Sequence, residues 1–388
     1  MKITRIHRLG RYMLMLAAIS LVSCLEDHTD TIRLEQGLEG SESSKDLLAT
    51  MNPEVGTTNT RVPNVNYTFE NKDGAPEEMV VRLDMTGIQS QTTSEWLRLI
   101  GTGEQGQNLW ISIDCQPKFV QVYNTIDDED ENVVIKNDIV FLVDNSGSMD
   151  DEADALARDL EEWAKSLTTT FDMKFGCVGY NGLITGALNM TTYTALHNYL
   201  SRATGTDRTV GFAGSDASYL KSNKYSYDIS SQEECPMAAL RYADRYFSFR
   251  QDANRIYVNF TDEYNQPDGQ SGFSVRYMAS QSNWPTTKGT VHTVYSGSTT
   301  GSETTNYNEQ PWRMSEYSGG TTIFTNGSFS GVSLQDLPVT GAIQNSYIIR
   351  FSNISKFMDG KSHEVKITIY DEDENVRAER KFYMTFGG

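Results

Sequence analysis

The chain has 388 residues, enough for two or three domains of ordinary size. It is 38% hydrophobic and 11% aromatic, so it can build real cores. Its formal charge of −19 argues against a nucleic-acid partner, because phosphate binding needs clustered Lys and Arg.

The first elements are a targeting segment and a tether. Lys2, Arg5, Arg8 and Arg11 form a positive n-region, and residues 12–22 form an apolar run too short to span a bilayer as a stable helix. The run ends in Leu21-Val22-Ser23-Cys24. This resembles the bacterial lipoprotein signal, in which a small residue precedes a cysteine that is lipidated and becomes the new N-terminus. The resemblance implies a signal over residues 1–23, a lipid on Cys24 and an outer-membrane lipoprotein anchored to the membrane. Glu26 and Asp27 resemble the export signal of surface lipoproteins in bacteria of the Bacteroides type, although a merely polar tether start reads the same way. Residues 25–66 contain no Phe, Tyr or Trp, so the stretch 24–64 is expected to be a flexible tether that buries little apolar surface.

From 65 to 137 the pattern is all strand: VNYTF, EMVVRLDM, LWISIDC, FVQVYNTI and NVVIK, separated by polar turns. From 138 to 344 strands alternate with helices. The apolar run at 138–143 suits a central parallel strand covered on both faces. An amphipathic helix follows, with Leu156, Leu160, Trp163, Ala164 and Leu167 on one stripe. Next come strand MKFGCVGY, helices YTALHNYL and PMAALRYADRYF, strand RIYVNFTD, helix FSVRYMAS, strand TVHTVYS and a short helix through 313–317 leading to SGGTTIFT. From 345 to 388 strands return as SYIIRFS, HEVKITIY and RAERKFYMTF. DEDENV occurs at 128–133 and again at 371–376, each time between strands, and reads as an acidic hairpin tip. The expected fold is α/β, a doubly wound parallel sheet inserted in a β-sandwich built from both flanks. Of the cysteines besides Cys24, Cys177 reads as a core thiol, and spacing alone assigns no bridge among Cys115, Cys177 and Cys235.

In such a sheet, ligands bind at the carboxyl ends of the strands. Two acids fall there, Asp144 in FLVDNSGSMDD and Asp262 in NFTDE. After Asp144 come Ser146 and Ser148, on alternate positions of a turn, so one carboxylate and two hydroxyls can converge. Neutral oxygens with few acids suit a hard divalent cation such as Mg²⁺, with Mn²⁺ or Ca²⁺ as alternatives, and leave a coordination position open.

This constellation resembles the von Willebrand factor A domain with its metal-ion-dependent adhesion site. The signature Asp-x-Ser-x-Ser is Asp144-Asn145-Ser146-Gly147-Ser148 here, and the acid after the fourth strand is Asp262. The pattern alone is short. The buried strand before it, the amphipathic helix after it, Thr261-Asp262 and the Gly-Gly turn near 320 support it separately. The family usually supplies a threonine before its third helix, and none stands in residues 230–240. That loop looks more like the variant of integrin β subunits, with an acid and a proline, here Glu234 and Pro236, though Met237 stands where a glutamate would be. Glu234 or Glu233 then replaces the threonine, or a water does. Met149, Asp151 and Glu152 are similar to the integrin run that binds an adjacent calcium, but acids also enrich the first turn of any helix.

The usual catalytic motifs are missing, and no histidine stands near Ser146 and Ser148 in sequence. No two histidines stand at helical zinc spacing, and there is no Gly-x-Ser-x-Gly elbow and no P-loop. His292, mid-strand, reads as a core or sheet-face histidine. The resemblance therefore implies a non-enzymatic binding protein, in which a cation bridges to an acidic side chain of a protein ligand. Tyr219, Tyr225, Tyr227 and Tyr264 in the nearby loops are candidate contact anchors. The rival expectations are a structural subunit of a surface appendage or envelope complex that assembles without metal, and a hydrolase that uses Ser146 or Ser148 with a base brought close in space.

Overall fold

The structure, a computed structural model, describes residues 46–71, 78–124, 135–149, 153–201, 214–215, 218–229, 234–299, 309–325, 329 and 333–387. The signal, Cys24, the first DEDENV copy, Asp151, Glu152 and Glu233 lie outside the described residues. Strands β1 (Val65–Glu70), β2 (Val80–Met85), β3 (Leu109–Ile113), β4 (Gln116–Lys118) and β5 (Gln121–Asn124) come first. Then follow β6 (Lys136–Asp144), α1 (Ala153–Thr168), β7 (Asp172–Tyr180), β8 (Ile184–Thr191), α2 (Tyr193–Leu200), β9 (Gly214–Ser215), α3 (Ser218–Asn223), α4 (Pro236–Tyr246) and β10 (Ala253–Thr261). The chain continues through β11 (Thr290–Tyr295), α5 (Trp312–Ser318), β12 (Thr322–Phe324), α6 (Pro338–Gln344), β13 (Tyr347–Phe351), β14 (Ser362–Asp371) and β15 (Val376–Thr385).

Seven strands form one sheet in the order β12-β11-β10-β6-β7-β8-β9, parallel except for the β7–β8 hairpin. Strand β6 is central and apolar on both faces, and its alternation feeds two cores. Ile139, Phe141 and Val143 pack with Leu160 and Trp163 of α1, Leu196 of α2 and Ile343 of α6. Val140 and Leu142 pack on the opposite face with Leu240 and Ala243 of α4 and Met314 of α5. The Trp163 indole is fully buried, and its Nε1 donates to Thr340 Oγ1 at 2.8 Å, which satisfies the only polar atom of that side chain.

The flanks form two four-stranded sheets, β1-β2-β13-β5 and β15-β14-β3-β4, over a shared apolar core. Strand β13, from beyond the α/β part, lies between β2 and β5 from before it. Strand β14 likewise pairs with β3. The expected combination of a doubly wound, mostly parallel sheet with a sandwich made from both flanks is therefore the observed fold. The second DEDENV copy is the β14–β15 hairpin tip, with Asn375 at a φ of 50°.

Three local expectations need correction. Residues 46–64, expected to belong to a flexible tether, pack on the sandwich: Asp46 binds Lys118, Asn52 Nδ2 donates to Thr368 Oγ1 at 2.9 Å, and Val55 and Val62 are buried. Residues 184–191, unassigned in the sequence reading, form β8, turned back from β7 at Asn181-Gly182. FSVRYMAS is not an α-helix. It makes two short 3₁₀ turns, Ser271–Phe273 and Val275–Ala279. The break falls at Ser274, whose hydroxyl donates to Glu309 while Val275 N–H donates to the same carboxylate at 3.1 Å. A tertiary contact thus overrides the helical pattern. Cys177 and Cys235 are buried and take part in no disulfide. Among the described residues no helix is long and apolar enough to cross a membrane.

Candidate metal centre

Strand β6 delivers Asp144 to the carboxyl edge of the sheet with its side chain fully buried. Its Oδ1 accepts from Ser146 N–H at 3.0 Å, which folds the chain into a tight turn and then a single 3₁₀ turn over Gly147–Met149. Met149 plugs into the core below. The turn brings Ser146 Oγ to 2.9 Å from Ser148 Oγ, and Ser148 Oγ donates to Asp262 Oδ1 at 3.1 Å. Parallel pairing of β6 with β10 sets Asp262 beside Asp144, since Phe260 is in register with Val143. Asp262 is pinned from the other side: a Cβ added at Gly297 would stand 1.6 Å from its carbonyl oxygen, so only glycine fits there.

Glu234, just before α4, completes the group. Ligand oxygens of Asp144, Glu234 and Asp262 all lie within 4.8 Å of one another. Oxygens around one hard cation at about 2.0–2.6 Å from it span comparable distances. The structure thus brings together Asp144, Ser146, Ser148, Asp262 and Glu234, all five residues singled out for the principal site. Met149 is buried in the core, and the two acids of the suggested second site, Asp151 and Glu152, fall outside the described residues.

The electrostatics are those of crowded acids in a dry place. Burial, then the charge of Asp262, pushes the Asp144 carboxyl up to about 6. Burial, then the charge of Asp144, pushes Glu234 up to about 9. Glu234 Oε2 is buried without a hydrogen-bond partner, as is Asn145 Oδ1. In metal-free protein a proton on Glu234 relieves the crowding of the three acids, and a cation is the group that would displace it. On that observation, the oxygen-only donor set fits a hard divalent ion such as Mg²⁺, Mn²⁺ or Ca²⁺.

Thr261 is a participant that the motif does not announce. Its hydroxyl donates to Asp144 Oδ2 at 2.8 Å and holds that carboxylate in orientation. Its position as the last residue of β10 was legible, but no spacing rule pointed its hydroxyl across to β6. Among the suggested contact anchors, Tyr227 needs correction. It is half-buried and packs edge-on against Tyr242 and Tyr246, with ring centroids 5.6 and 5.7 Å away, so that face of its ring is committed to the core. Tyr264 is half-buried, and the side chains of Tyr219 and Tyr225 are outside the described set. His292 is buried in β11 beside Thr321, and burial pushes it down to about 3, so it is neutral.

No protein-family model matches the chain, and no curated protein matches it. Among solved structures, the chain is similar to an aerotolerance-related membrane protein from Bacteroides fragilis, at 15% identity over 53% of this chain and 98% of that one, with a TM-score of 0.33. It is also similar to an adhesive tip pilin from Group B Streptococcus agalactiae, at 14% identity over 34% of this chain and 46% of that one, with a TM-score of 0.24. A pilus adhesin from Lactobacillus rhamnosus in its open conformation aligns at 10% identity over 82% of this chain and 47% of that one, with a TM-score of 0.27. The chain spans about half the length of the two pilus proteins. Likeness at this level carries no argument about activity.

Proposed function

We propose that the chain is a lipid-anchored envelope protein of von Willebrand factor A type, which binds a protein ligand through a divalent cation. Asp144, Ser146, Ser148, Glu234 and Asp262 would hold the ion, and a carboxylate of the ligand would complete its shell. The carrying observation is the convergence of three carboxylates and two hydroxyls at the carboxyl ends of β6 and β10, with Glu234 Oε2 buried and unpartnered. The resemblance at Cys24 supports the lipid anchor and the outer membrane. The reading is non-enzymatic. His197, His292 and His363 are engaged by Glu161, Thr321 and the Asp114–Asp359 pair, respectively.

Thermal unfolding of residues 25–388 in chelator, then with Mg²⁺, Mn²⁺ or Ca²⁺, tests this. A cation at a hundredfold excess over its Kd stabilises the folded state by about 2.7 kcal/mol, which raises Tm by a few degrees. The rise is expected in the wild type and absent in Asp144→Ala. No shift with any cation, in protein shown by mass spectrometry to be metal-free, would overturn the reading.

A further inference from the structure

Helix α4 begins without a cap of its own. Cys235 occupies the N-cap position and its side chain caps nothing. Ser, Thr, Asp or Asn would ordinarily serve there. The cap comes instead from the loop after β10: Asn265 Oδ1 accepts from Met237 N–H at 3.2 Å and from Cys235 Sγ at 3.3 Å. The other end of that amide is fixed as well. Asn265 Nδ2 donates to Glu309 Oε2 at 2.6 Å and to Phe273 O at 2.9 Å. Glu309 also accepts from Ser274 Oγ and Val275 N–H, so it stands as an acceptor and sets which way the amide points.

The next residue grips Glu234. Gln266 N–H donates to Glu234 O at 2.7 Å, and Glu234 N–H donates to Gln266 Oε1 at 2.9 Å. One residue therefore holds the Glu234 backbone at both its donor and its acceptor. Gln266 also sits four positions after Asp262, on the same loop. Two acids from distant parts of the chain are thereby locked into one unit.

We infer that Gln266 is a positioning residue for the cation site, which acts by fixing Glu234 against Asp262, with Asn265 and Glu309 securing the loop behind it. This rests on the cation reading of the acid cluster. Outer partners of metal ligands typically change affinity about 10–100-fold when removed. Gln266 acts on the backbone of Glu234, so its effect must pass through that residue.

The test is Mn²⁺ affinity of the full-length chain in detergent micelles, measured by competition with a fluorescent chelator well below the unfolding temperature. Wild type, Gln266→Ala, Glu234→Ala and the double variant are compared. The expected result is a loss of about tenfold or more in Gln266→Ala, and less than about twofold further loss when the same change is made in Glu234→Ala. Unchanged affinity in Gln266→Ala overturns the inference, even if its metal-free Tm falls, because Gln266 is then a structural clamp only. A full further loss in the Glu234→Ala background also overturns it, since the effect would bypass Glu234. If Glu234→Ala binds too weakly to measure, the comparison of Gln266→Ala with wild type decides alone. If the wild type binds no cation while folded, the cation reading itself falls and the inference with it.

Discussion

Single side chains set the energetics of the acid cluster. Asp144 is fully buried, and Thr261 supplies the donor to its Oδ2. Replacing Thr261 with Val keeps the shape and removes that donor. The expected cost is about 1–3 kcal/mol in metal-free protein, read as a lower midpoint in denaturant titration. The pH dependence has a definite sign. Burial and like charge raise Glu234 from 4.5 to about 9, so between those values the folded state holds a proton that the unfolded state has released. Metal-free stability should therefore fall as pH rises from about 4.5 towards 9, and Asp144 adds the same trend at the acid end. Urea titrations across this range should show a shallower fall in Glu234→Gln, and a saturating cation should flatten the wild-type slope. An equal slope in both proteins would mean that Glu234 is not the group that titrates.

Between elements, close approach matters as much as charge. Gly297, two residues after β11, lies against the Asp262 carbonyl. Gly297→Ala must push Asp262 away from Asp144, so metal-dependent stabilisation should be reduced, as seen by comparing Tm in chelator and in cation. Gly320 is similar in kind, since a Cβ there would stand 1.9 Å from Val291 O where α5 passes into β12. These elements were unevenly legible. Asp144, Ser146 and Ser148 lie in one turn, so five consecutive residues display them, and the apolar run of β6 places that turn at a sheet edge. Glu234 lies 90 positions after Asp144, and only the family resemblance pointed to it. Asn265, Gln266 and Glu309 were silent, because a cap donated across space leaves no mark beside the helix it caps. Hairpin β7–β8 did leave one, Asn181-Gly182, a strong turn signal between two strand-like runs. The glycine and asparagine within 184–191 masked the second run.

At the scale of the whole molecule, the flanks are interleaved. Strand β13 fills the gap between β2 and β5, and β14 contributes Val365, Ile367 and Ile369 to the sandwich core. A chain ending at residue 344 would lose these strands and leave β2, β3 and β5 each with an unpaired edge. It should show no cooperative sandwich transition by calorimetry and should aggregate. The joint between the two parts is polar and specific. Asn64 Nδ2 donates to Gly289 O at 2.7 Å, Val65 N–H donates to Thr286 Oγ1 at 2.7 Å, and Arg380 bonds Asn64 Oδ1.

The course of β6 has a mechanical consequence. Its first residue is reached from the sandwich, and its last is Asp144. A ligand pulling on the Asp144 turn, against a sandwich held in place, draws β6 along its own axis. Both neighbours, β7 and β10, run parallel to it. The two rows of hydrogen bonds are then strained together in shear, and many must break at once before the strand slips. A pull that lifted β15 sideways from its sheet edge would break its bonds one after another, at much lower force.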